Sequence, residues 1–122
     1  MKVFKWKVIL IIVGVIFGLV LFVVPFSRAD VELKDFERFK NDQTFKFYIH
    51  GVGQGFAYAN GSLQYIGQSP LYCQPANLAL KPENYLEILQ RYIEKHKNTL
   101  KPDWTVEMLL LLGLKETFPC NK

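Results

Sequence analysis

Hydrophobic positions recur along this chain in five blocks, each with its own period. An uninterrupted apolar run extends from Val8 to Val24. "DVELKDFERFK" (30–40) then sets Val31, Leu33, Phe36 and Phe39 at short mixed spacings among charges, which predicts a short amphipathic helix. "NDQT" breaks that pattern and offers Asn41 or Asp42 as the N-cap of a second helix. Phe45, Tyr48, Ile49, Val52 and Phe56 fall at i, i+3, i+4, i+7 and i+11, the period of one buried helix face.

This third block contains "FYIHGVGQGFAYANG" (47–61), whose glycines admit three readings. A phosphate-cradling loop needs the dinucleotide fingerprint or a Gly-Lys-Ser/Thr ending, and neither is present. A hairpin would turn at Asn60-Gly61 and pair Phe56–Tyr58 with Leu63–Tyr65. The helix accounts for more residues. On it Gly51, Gly55 and Ala59 lie four apart, a stripe without side-chain bulk on which another helix is expected to pack closely. Each glycine costs a helix roughly 1 kcal/mol relative to alanine, and that packing is expected to offset the cost. Gly61 is expected to end the helix as a left-handed residue.

"SLQYIGQSPLYCQPAN" (62–77), with its two prolines and Gly67, reads as a connecting loop. In "LKPENYLEILQRYIEKHKN", Pro82 suits the first helical position and Glu83 the positive end of the helix dipole. Tyr85, Leu86, Leu89, Ile93 and His96 are its expected buried face. "LKPDW" repeats that opening, which predicts a last helix from Pro102 to about Thr117. Val106, Met108, Leu109, Leu110, Leu111, Leu112 and Leu114 surround it, so it is expected to be central or part of a dimer interface. The expected fold is therefore all-α, a small bundle of about four helices.

The first block belongs to a different part of the chain. Lys2, Lys5 and Lys7, the apolar run, and the small residues Ser27 and Ala29 have the layout of a secretory signal peptide, with a cut expected after Ala29. The run is also at the lower limit of a bilayer span, so residues 8–24 could instead remain as a membrane anchor. Residues 1–29 are thus a leader or anchor, and 30–122 the folded domain. Without Lys2, Lys5, Lys7 and Arg28 the formal charge of +4 falls to zero, which removes any electrostatic reason to expect nucleic acid as a partner.

Cys73 and Cys120 are the only two cysteines, and an exported small domain with an even count is expected to join them. Such a bridge would stabilise the domain by roughly 3–4 kcal/mol on the chain-entropy account. No spacing pairs Cys73 with His50 or His96 as nucleophile and base, and the cysteines and histidines lack the close pairs of zinc sites. No cofactor, metal or enzymatic activity is expected.

"YIHGVGQGF", "LYCQP", "NYLEILQRYIEKH" and "VEMLLLLGLKETFPC", in this order, resemble the Rap/Tai family of immunity proteins over about residues 30–122. Members protect bacteria with type VI secretion from their own peptidoglycan amidase effectors. The Cys-x-Pro at 73–75 and the terminal Phe-Pro-Cys at 118–120 carry the likeness. Many relatives have a further, earlier cysteine pair, where this chain has aromatic residues such as Phe39 and Phe45. The resemblance implies a periplasmic helical protein, often a homodimer, that blocks a secreted amidase with a surface loop.

The residues suggest two contact surfaces. "KNTLKPDW" (97–104) offers Trp104 as an aromatic anchor beside Lys97, Lys101 and Asp103, the other reading being that Trp104 is core. Residues 62–72 offer Tyr65, Leu71 and Tyr72, which are apolar for a loop. Two other functions compete with immunity. One is a periplasmic acid-stress chaperone of the HdeA type, unfolding as its carboxylates protonate. The other is a membrane-anchored assembly subunit, with Gly14 and Gly18 four apart in the anchor.

Overall fold

Asp42 does what its position predicts: its Oδ1 accepts from the N–H groups of Thr44 and Phe45 at the start of a 23-residue helix. The computed structural model describes residues 2–23 and 30–120, apart from the side chains of 2–5 and 17–23. Five helices appear among them: α1 (Lys2–Val23), α2 (Leu33–Phe39), α3 (Gln43–Tyr65), α4 (Pro82–His96) and α5 (Val106–Thr117). The fold is all-α, and α2 to α5 form a bundle stapled by one disulfide.

α4 packs extensively on both α3 and α5, whereas α5 meets α3 less, so the central place expected of α5 belongs to α4. On α5, Val106, Leu109, Leu110 and Leu114 are fully buried and share one core with Ile49 of α3 and Leu89 of α4. α2 covers one end, where Phe36 meets Phe45 edge-on at 5.9 Å. No described residue of α1 belongs to the core or packs against it. The described side chains of α1, 6–16, span about 16 Å at 1.5 Å per residue. Among the described residues no helix is long and apolar enough to cross a membrane. The cleavage motif at Ser27 and Ala29 lies outside the described residues, as do the surroundings of Gly18.

Two expected helix boundaries move. α3 runs straight through Gly61 to Tyr65, and the left-handed residue is Gly67, with φ 74°. The buried Asn60 is the reason: its side chain fastens onto the following loop, so the chain remains helical past it. α5 starts at Val106 behind a Thr105 cap and not at Pro102, because Pro102 and Trp104 lend their carbonyls to the N–H groups of Lys34 and Leu33. The repeated "LKP" opens a helix once, at Pro82, where Asn84 Oδ1 accepts from Lys81 N–H at 2.9 Å.

The small-residue stripe is also corrected. Gly51, Gly55 and Ala59 face solvent, and a Cβ on either glycine would meet nothing within 4 Å. Close packing uses Gly53 instead, where a Cβ would lie 2.3 Å from the Tyr85 ring, and Gly113, where it would lie 3.0 Å from Ile88. Tyr85 and Ile88 both belong to α4, so α4 rests on a glycine of each neighbour. Cys73 and Cys120 bridge with Cα atoms 4.9 Å apart, joining the loop after α3 to the chain after α5. Cys73 N–H also donates to Phe118 O at 2.8 Å.

Candidate functional site

Burying Phe45, Ile49, Gly53 and Asn60 on one side of α3 turns Phe47, Gly51, Tyr58, Ser62 and Tyr65 outward, since they sit within about 60° of one another at 100° per residue. Phe47 is 58% exposed, Tyr58 78%, Tyr65 92%, and Ile66 at the C-cap 63%. The aromatic rings are separated along the helix by open backbone at Gly51, Gly55 and Gly61. From Phe47 to Tyr65 the strip is about 27 Å long at the helical rise.

No Asp, Glu, Lys or Arg occurs between Lys46 and Lys81, so this face and the loop beyond it carry no fixed charge. Among the described residues outside α1, the exposed large hydrophobic ones are Phe47, Tyr58, Tyr65, Ile66, Leu78 and Met108, and all but Met108 fall within that uncharged segment. The remaining surface is unlike it. There Lys34 pairs with Glu32, Lys40 with Glu37, Lys97 with Glu94, and Lys95 with Glu116.

Buried groups fix the face rigidly. Asn60 Nδ2 donates to Tyr72 O at 2.6 Å, and Asn60 Oδ1 accepts from Leu71 N–H at 2.5 Å, which clamps the returning loop to α3. Tyr72 fills the space below; burial pushes its phenol up to about 12. Beside the strip, Ala57, Asn60, Gly61, Gln64 and Pro75 line a cavity of ≈ 190 Å³, large enough for one protruding side chain. At the start of α3, the N–H groups of Phe45 and Thr44 hold the Asp42 carboxyl below its usual range.

The residues proposed from sequence separate on this frame. Tyr65 is the most exposed of the strip, but Tyr72 is buried at 1% exposed and Leu71 is half-buried against the core. Trp104 packs against the core as well, whereas Lys97, Lys101 and Asp103 are exposed. Lys97 is paired with Glu94 at 2.6 Å. The 97–104 loop is tied at its far end to residues 31–34 through the carbonyls of Pro102 and Trp104, and Trp104 is half-buried.

Sequence reasoning missed Phe47, Tyr58 and Ile66. The available signal was the long gap between charged residues, read together with the helical angle of the aromatics. Among the described residues, no group of three or more His, Cys, Asp or Glu side chains could hold a metal ion. His50 stands 5.7 Å from the Tyr85 ring and 3.4 Å from Gln54 Nε2, and His96 pairs with Glu116 at 2.8 Å. Comparison with family models, curated proteins and solved structures finds no match for the chain.

Proposed function

We propose that residues 30–122 form a binding protein of the periplasm, which inhibits a secreted peptidoglycan amidase by occluding it and uses the outward face of α3 as its contact surface. The observation that carries the binding reading is the uncharged strip of Phe47, Tyr58 and Tyr65 on a stapled helix. Tyrosine and phenylalanine are enriched where protein surfaces meet, and an uncharged patch has no ion to desolvate on docking. The glycine gaps let a partner's chain approach the backbone, and the adjoining cavity can receive one anchoring side chain. The amidase as the partner, and the periplasm as the place, rest on the Rap/Tai resemblance and on the leader-like residues 1–29.

The test is a pull-down of the processed protein from periplasmic and type VI secreted fractions of its own organism. Recovery of an amidase, inhibited at about one-to-one stoichiometry and released by Tyr58→Ala with Tyr65→Ala, supports the proposal. Recovery of many unrelated acid-unfolded proteins would favour the acid-stress chaperone. Intact mass of the exported protein separates a cleaved leader from a retained anchor.

A further inference from the structure

The first residues of the folded domain are held by the last helix. Val31 N–H donates to Glu107 Oε1 at 3.4 Å, Val31 O accepts from Val106 N–H at 2.9 Å, and Glu32 bridges Thr105 in antiparallel register. Glu107 Oε1 also accepts from the Tyr48 hydroxyl. The second oxygen, Oε2, is buried and has no hydrogen-bond partner among the described residues. Such an acceptor is rare in a folded protein, because its lost hydration is normally replaced by a donor. Asp30 lies one residue upstream of Val31, at the usual spacing of about 3.8 Å between α-carbons.

We propose that hydrolysis of the Ala29–Asp30 bond creates the missing donor: the new α-ammonium of Asp30 pairs with Glu107 Oε2 and latches the mature N-terminus to α5. This rests on the reading of residues 1–29 as a cleaved leader. Water adds across the amide, Ala29 keeps the carboxylate, and Asp30 gains an amine that is protonated at neutral pH. The uncut chain has one neutral N–H on Asp30; the cut chain has three N–H donors and a positive charge there. An end one residue earlier or later would displace that charge by about 3.3 Å along the extended segment.

The groups around the new terminus favour a cation. Asp30 contributes its own carboxylate, α5 contributes Glu107, and α3 contributes Tyr48, whose phenol feels the charge of both. Glu32 is already matched by Lys34 at 2.5 Å, and Lys34 also feels Asp35 and Asp103. Opposing the latch is the positive end of α5, which Glu107 itself partly neutralises from the first turn. The carboxylates outnumber the cations here, so the ammonium is stabilised.

The full chain is expressed with its leader in an exporting host, and the purified product is weighed intact. A product that retains the leader, or begins elsewhere than Asp30, overturns the proposal at the cleavage step. For a product beginning at Asp30, the rate of α-amine acetylation is followed against pH. The latch predicts a raised amine pKa, and acetylation at pH 7 about tenfold slower than in Glu107→Gln, the effect of one pKa unit. Glu107→Gln keeps an acceptor for Val31 and Tyr48 while removing the charge. An amine titrating at the ordinary value of about 7.7–8.0 overturns the latch with cleavage intact. If Glu107→Gln does not fold, acetylating the wild-type terminus serves instead: a lower Tm is expected, and an unchanged Tm overturns it. A raised folded pKa contributes stability that is complete below the unfolded value and lost as pH rises through the folded one.

Discussion

At the scale of single residues, glycines of the same helix have opposite roles. A Cβ at Gly53 would lie 2.3, 2.4 and 2.8 Å from three atoms of the Tyr85 ring, which is itself only 1% exposed. Gly53→Ala is therefore expected to lose about 1–3 kcal/mol to overpacking, net of its better helix propensity. Gly51→Ala and Gly55→Ala meet open space and are expected to gain about 0.5–1 kcal/mol each. Urea denaturation of the three variants distinguishes this from the close-packing stripe, which predicts loss at Gly51 and Gly55. Asn60 offers a second test. Asn60→Leu leaves Leu71 N–H and Tyr72 O without their partner and should cost about 1–3 kcal/mol for each group left buried and unpaired.

Helix starts and helix contacts make the elements sensitive to acid. The carboxyls of Asp42, Glu83 and Glu116 are all held below their usual values: by the N–H groups of Phe45 and Thr44, by Glu83's own N–H with Lys46, and by Lys95 with His96. A carboxyl whose folded pKa is depressed adds stability above its unfolded value, about 3.9–4.3, and loses it as pH falls through the folded value. Tm is accordingly expected to change little between pH 7 and 5 from these groups and to fall below pH 4. Asp42→Asn, which retains a capping oxygen, should make that acid fall shallower; an equally steep fall would remove Asp42 from the account. This acid sensitivity alone would not make the protein a chaperone, since exposed apolar surface and client binding would also be required.

For the whole molecule, charge and apolar surface are segregated. The charged residues of 30–122 balance to zero and pair across α2, α4 and α5, whereas the outward face of α3 has none. Tyr58→Ala with Tyr65→Ala is expected to leave stability within about 0.5 kcal/mol, because both side chains are mostly in water. The same pair should abolish capture of the partner. Trp104→Ala should do the reverse, lowering Tm through lost packing while the α3 face still binds. Melting curves and binding titrations on the two variants assign the surface, and equal loss of binding in both would point back to the 97–104 loop.

Local order was legible in the amino-acid sequence. The positions of α2, α3 and α4, the Asp42 cap and Pro82 at the start of α4 follow from interactions within a few residues. The Cys73–Cys120 bridge followed from having two cysteines in a domain expected to be exported. Tertiary structure alone decided which glycine lies against Tyr85, that α3 passes through Gly61, that Leu71 and Tyr72 turn inward, and that "LKPDW" caps no helix. Each of these depends on a partner distant in sequence: Asn60 with Tyr72, Gly53 with Tyr85, Pro102 with Lys34. Helical periodicity specifies which residues share a face, and only the neighbouring helices specify which face is covered.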